Sequence, residues 1–233
     1  MNLFPKTPRP AAIAIALFLC AGLPVASVAA GGISLGGGLN SSFSDLDYSP
    51  GEKLANHLGF NIGVGRELQM TPVFFLVPEV NLETRGQDAS YHDEDYDIET
   101  KIKLLYLQVP VFAMFKAPVG RGVLDVFAGP SFGILLTGKG EAEINGTTFS
   151  GDIKDGVKPM DFGIEMGAGL EFPVGVDKAF FIRAGYYHGF VNILDSDDDD
   201  EADDEFDDED EDSGQQEFHS RNVKIKAGLL FPL

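Results

Sequence analysis

The residues able to do chemistry fall into three groups. The first is an acidic run at 195–212, with fifteen Asp or Glu and no base. Its spaced acids Asp197, Asp199 and Asp203 are candidate ligands for Ca²⁺ or Mg²⁺, which take carboxylate oxygens. A defined site also wants a glycine turn and a set ligand spacing, and the run has neither. The reading is therefore a self-repelling acidic loop that collects Ca²⁺ diffusely, with a specific site as the alternative. The second group is a set of acids and bases on polar rows of alternating segments: Glu79, Glu165, Glu171, Arg183, Lys224 and Lys226. Glu67, Glu83, Asp125, Asp161, Arg85 and Lys116 share that placement. Side chains that leave one face of a strand can pair across an enclosed space, so these are candidates for an interior ion-pair network. The third group is the histidines. A hydrolase needs a nucleophile and a base within reach of each other. His188 stands beside Tyr186 with no Ser or Thr two residues away, and His57, His92 and His219 lie at loop edges. No catalytic residue and no cofactor is assigned, and the chain reads as no enzyme.

The elements that carry these groups are strands. From Met160 to Phe190 the chain alternates almost without error, with Phe162, Ile164, Met166, Ala168, Leu170 and Phe172 on one row. The other row is Asp161, Gly163, Glu165, Gly167, Gly169 and Glu171. A period of two is a β-strand. Small residues mixed with a few charges suit the inside of a narrow closed barrel, so the apolar row faces outward, into lipid. Eight such strands can be read: Gly32–Phe43, His57–Leu68, Val73–Arg85, Glu99–Lys116, Val123–Leu136, two within Met160–Phe190, and His219–Leu233. Connections after the second, fourth and sixth are short and the others are long and polar. The pattern predicts an all-β, eight-stranded antiparallel up-and-down transmembrane barrel with short periplasmic turns and long external loops. Hydrocarbon offers no partner to a backbone amide, so such a sheet crosses only when it has no free edge.

The amino-terminal stretch 1–30 reads as a signal peptide: Lys6 and Arg9, then an apolar core, then Ala26-Ser27-Val28-Ala29-Ala30. The barrel domain is 31–233, with 195–212 as a low-complexity external loop. Cys20 lies in the signal, leaving no disulfide to staple the remainder. The formal charge of −20 resides mainly in the acidic loop, which argues against nucleic acid as a partner. With no Trp in the chain, Tyr and Phe must supply the girdle at the lipid boundary.

Several segments in series resemble the outer membrane protein β-barrel domain family of small porin-like, OmpA-like proteins. They are Val77-Pro78-Glu79-Val80-Asn81-Leu82, Leu105-Tyr106-Leu107-Gln108-Val109-Pro110, Phe127-Ala128-Gly129-Pro130-Ser131-Phe132-Gly133, and Asp161-Phe162-Gly163 with Gly167-Ala168-Gly169-Leu170-Glu171-Phe172. Gln108 stands where the family carries an acid, which implies the loss of one ion pair. At the carboxyl end, Lys226-x-Gly228-x-x-Phe231-x-Leu233 is similar to the signal read by the outer-membrane barrel assembly machinery, with Leu233 in place of the usual aromatic. The resemblance implies a bacterial outer-membrane location among lipid and lipopolysaccharide. The function expected is structural or surface interaction through the acidic external loops, with a basic host protein or cationic peptide as partner. A narrow porin-like channel and a lipid A-modifying enzyme are the alternatives.

Overall fold

The structure, a computed structural model, describes residues 31–43, 52–92, 97–144, 146–192 and 219–233. The signal stretch 1–30 and the acidic run 195–212, with Asp197, Asp199 and Asp203, lie outside the described residues. Nine strands follow in order: β1 (Gly32–Phe43), β2 (Glu52–Gln69), β3 (Phe74–His92), β4 (Asp97–Val119), β5 (Gly122–Ile144), β6 (Thr147–Asp152), β7 (Met160–Pro173), β8 (Ala179–Asn192) and β9 (His219–Pro232). Each is antiparallel to its neighbours, and β4 pairs β5 while β1 pairs β9, so eight strands close into a ring. The ninth, β6, pairs only with the far end of β5 and stands outside that ring.

Alternation sets the two faces. Along β7 the residues Asp161, Gly163, Glu165 and Glu171 are buried, whereas Phe162, Met166, Leu170 and Phe172 are exposed. The same inversion holds on β1, β2, β5, β8 and β9, where Leu39, Phe60, Val126, Ile182 and Ile225 lie on the outside. The outward apolar row of β4 runs from Leu105 to Phe115. At about 3.4 Å per residue and roughly 45° of tilt it stands about 24 Å tall, the height of the lipid-facing band of such barrels.

Turns at one end are short: 70–73, 120–121 and 174–178. Gly120 and Gly175 sit there with φ of 59° and 78°, a region that glycine enters at no steric cost. At the other end the strands run on. β4 and β5 are each 23 residues long, about twice what a crossing needs. Their upper parts join the ends of β2 and β3 and all of β6 in a sheet that projects beyond the barrel. Alternation across the crossing segments identifies the eight ring strands, but not β6 or these extensions. All six residues of β6 are exposed, so no burial pattern marks it in the sequence.

Candidate functional site

The lumen is packed in layers. Nearest the short turns, Arg183 on β8 reaches Glu171 at 2.7 Å, Glu67 at 3.0 Å and Asp125 at 3.2 Å. Lys116 adds a second cation at 2.6 Å from both Glu67 and Glu171. In the next layer Lys226 donates to Glu79 at 2.8 Å and to Asn81 at 3.0 Å. Above it Lys224 lies 2.6 Å from Glu83 and 2.8 Å from Glu165, and donates to Gln108 at 2.9 Å. The position where an acid is typical therefore still meets a lysine, through a neutral oxygen. Highest in the stack, Arg85 pairs with Glu83 and Asp161 and lies between the rings of Tyr106 and Tyr187. Tyr187 donates its hydroxyl proton to Asp161 at 2.8 Å. All six residues named as interior candidates thus face the lumen, and each lies in an ion pair.

Aromatic rings fill what the charges leave. Val77, Phe112, Met114 and Phe127 pack together on the β3–β5 side of the lumen with Phe75. The glycine row acquires its reason here. A Cβ on Gly167 would come within 2.5 Å of the Phe127 ring, and one on Gly163 within 2.7 Å of the Tyr187 ring. Phe181 lies in the same way against Gly36 and Gly228, each 2.7 Å from a would-be Cβ. Tyr187 and Phe181 share the parity of Arg183, which is the sequence feature that marks them as interior.

Between the layers remains a cavity of about 30 Å³, lined among others by Asn61, Glu79, Glu165, Phe127, Lys224 and Lys226. At the far mouth the segment after β6 turns inward. Ile153 and Val157 pack on Leu104, Tyr106 and Leu135, and Lys154 donates to the carbonyl of Leu136 at 2.6 Å.

Outside the lumen, rings run along the upper rim: Phe132 and Phe162 are 4.9 Å apart, Phe162 and Phe190 5.9 Å, His188 and Phe190 5.4 Å, and Tyr186 and His188 6.4 Å. His188 therefore belongs to an interfacial aromatic cluster. His57 faces Asp88, with Nδ1 3.1 Å from the carboxylate. At the carboxyl end, Lys226 and Gly228 lie on the inward row of β9, while Phe231 lies 5.7 Å beneath the Lys178 ammonium. Leu233 donates its N–H to the carbonyl of Gly31 at 2.7 Å. Among the described residues no group of three His, Cys, Asp or Glu is placed to hold a metal ion. No helix there is long and apolar enough to cross a membrane, which says nothing of strands.

A closed antiparallel ring with an apolar outside and a charged, packed inside is a membrane-spanning β-barrel. The family model described as "Outer membrane protein beta-barrel domain" matches residues 30–195, and the chain belongs to that family, whose place is the bacterial outer membrane. Solved structures similar to it include the attachment invasion locus protein Ail of Yersinia pestis, at 17% identity and TM-score 0.41, covering 87% of this chain and 98% of that one. The outer membrane protein OprG of Pseudomonas aeruginosa is similar at 11% identity and TM-score 0.48, with 87% and 96% covered. Neisserial surface protein A is similar at 11% identity and TM-score 0.45, with 87% and 97% covered. No curated protein matches the chain.

Proposed function

We propose that this is a non-enzymatic outer-membrane barrel whose role is surface interaction, exerted by the parts that stand above the membrane. The filled lumen carries this reading. The cavity of about 30 Å³ between its layers has room for about one or two water molecules. A barrel of eight strands is just wide enough for its own side chains to fill. Beyond the crossing, by contrast, stands the projecting sheet, and the sequence between β8 and β9 adds the acidic run of 195–212. The run's charge favours a basic host protein or a cationic peptide as partner, with diffuse Ca²⁺ uptake as a modulator. Lys226, Gly228, Phe231 and Leu233 serve the barrel assembly machinery in this reading. The alternatives remain a narrow channel and a lipid A-modifying enzyme.

The test is to remove 195–212 and measure binding of a cationic peptide to cells displaying the protein. The expected result is weaker binding with the heat-dependent gel shift of the folded barrel intact. Unchanged binding with a folded barrel would overturn the role of the acidic loop. A lipid A mass shift on expression would support the enzyme instead.

A further inference from the structure

On the outer face of the projecting sheet, charges are arranged by height. β4 and β5 place Lys103 directly opposite Lys139, Lys101 opposite Glu141, and Glu99 opposite Glu143. The three rungs are therefore Lys–Lys nearest the membrane, Lys–Glu above it, and Glu–Glu farthest out. Like charges directly opposite on adjacent strands destabilise a sheet, whereas opposite charges stabilise it. Alternating Lys with Glu on every rung would have avoided both repulsions, so local pairing does not explain the order.

The lowest rung has a defined height. Lys103 follows Leu105 by one outward position, which places its Cα about 5 Å above the top of the lipid-facing row. Lys139 lies on the same face, beside Thr137 and above Ile134 and Phe132. Both lysines are exposed. Lys103 reaches Glu141 at 3.2 Å, but both side chains are more than a third exposed, and a wet surface pair of this kind is weak and easily exchanged. Lys139 forms no ion pair among the described residues. Asp152, its register partner on β6, accepts instead from the backbone N–H of Lys154 at 2.9 Å. One rung up, Lys101 is engaged by Glu99 at 3.1 Å, and that hydrogen bond holds its ammonium above the usual lysine value.

We infer that Lys103 and Lys139 form a site for a phosphomonoester carried on an acylated sugar of the outer leaflet. The acyl chains would lie along Leu105, Phe132 and Ile134, and the phosphate would sit between the two ammonium groups. A lipid-borne phosphate is favoured over a free one because the rung adjoins the apolar band, where an anchored phosphate meets both surfaces at once. The inference rests on the outer-membrane location and not on the proposed surface role.

The experiment uses the full chain in phosphatidylcholine bilayers containing diphosphoryl lipid A, or lipid A stripped of its phosphates, with bound lipid counted by native mass spectrometry. The wild type is expected to retain the phosphorylated form. A Lys103→Gln/Lys139→Gln variant, checked for folding by its gel shift, is expected to lose about thirtyfold in affinity, the scale for two basic residues at a lipid surface. Glu99→Gln/Glu143→Gln is expected to retain wild-type affinity. Equal retention of dephosphorylated lipid, wild-type binding by the lysine double variant, or equal loss in the glutamate variant would each overturn the site. Displacement by inorganic phosphate at matched concentration would overturn the lipid-borne source.

Discussion

Arg183 shows how much one side chain can hold in a space this narrow. Its guanidinium serves Glu67, Asp125 and Glu171 directly and lies 3.9 Å from Glu79, while its face rests on the Phe181 ring. A planar fork of donors suits such sharing better than a lysine point charge. Removing it strands three buried acids with only Lys116 for company, a loss on the scale of about 3–5 kcal/mol. Arg183→Ala is therefore expected to lower the thermal midpoint of the barrel by roughly 10 °C, read from the temperature at which its gel mobility changes. An unmoved midpoint would show that the network does not hold the barrel together. Strand parity was enough to place Arg183 and its acids inside. It could not say which acid meets which base, because the match across the lumen depends on strand tilt and stagger, and neither leaves a mark in local alternation.

Among the elements, β7 and β8 show best how a strand divides its residues between two solvents. Gly167 and Ala168 are neighbours with opposite duties. The first makes room for Phe127 and for the carbonyl of Ala184, and the second faces lipid. Gly167→Val is expected to destabilise the barrel by about 1–3 kcal/mol through overpacking. Ala168→Val is expected to change it by less than about 0.5 kcal/mol, as a surface substitution away from special features does. Denaturant unfolding in bilayers reads both, and equal effects would refute the division. At the carboxyl end, Phe231→Ala is expected to slow the appearance of folded barrel in cells, measured by pulse-chase, with little effect on the final midpoint. These crossing elements were legible because each has one row that must be apolar. The upper part of β5 was not. There Lys139, Glu141 and Glu143 face water on one side, and Gly138 and Gly140 take Ile153 on the other, so it has the composition of a loop.

At the scale of the whole molecule, closure and filling act together. The ring has no free edge within the crossing, and the cavity of about 30 Å³ between its layers has room for a water molecule or two. Planar bilayers containing the purified protein are expected to show no steady unitary conductance, and a reproducible step would establish the narrow channel. Loop asymmetry in the sequence was enough to place the short turns 70–73, 120–121 and 174–178 together at one end of the barrel. The filling could not be read so directly, since it comes from rings such as Tyr187 and Phe181 crossing to glycines on other strands.

The seam between β1 and β9 has one more effect. These strands pair along the whole of β1, from Gly32 with Pro232 to Phe43 with Arg221. Among the described strands, β1 thus finds one of its two ring neighbours only in β9, far along the chain. A chain whose synthesis stops short of β9 would carry two bare edges into hydrocarbon, where neither can be satisfied. The seam therefore makes closure all-or-none: the ring shuts only when β9 is in place against β1.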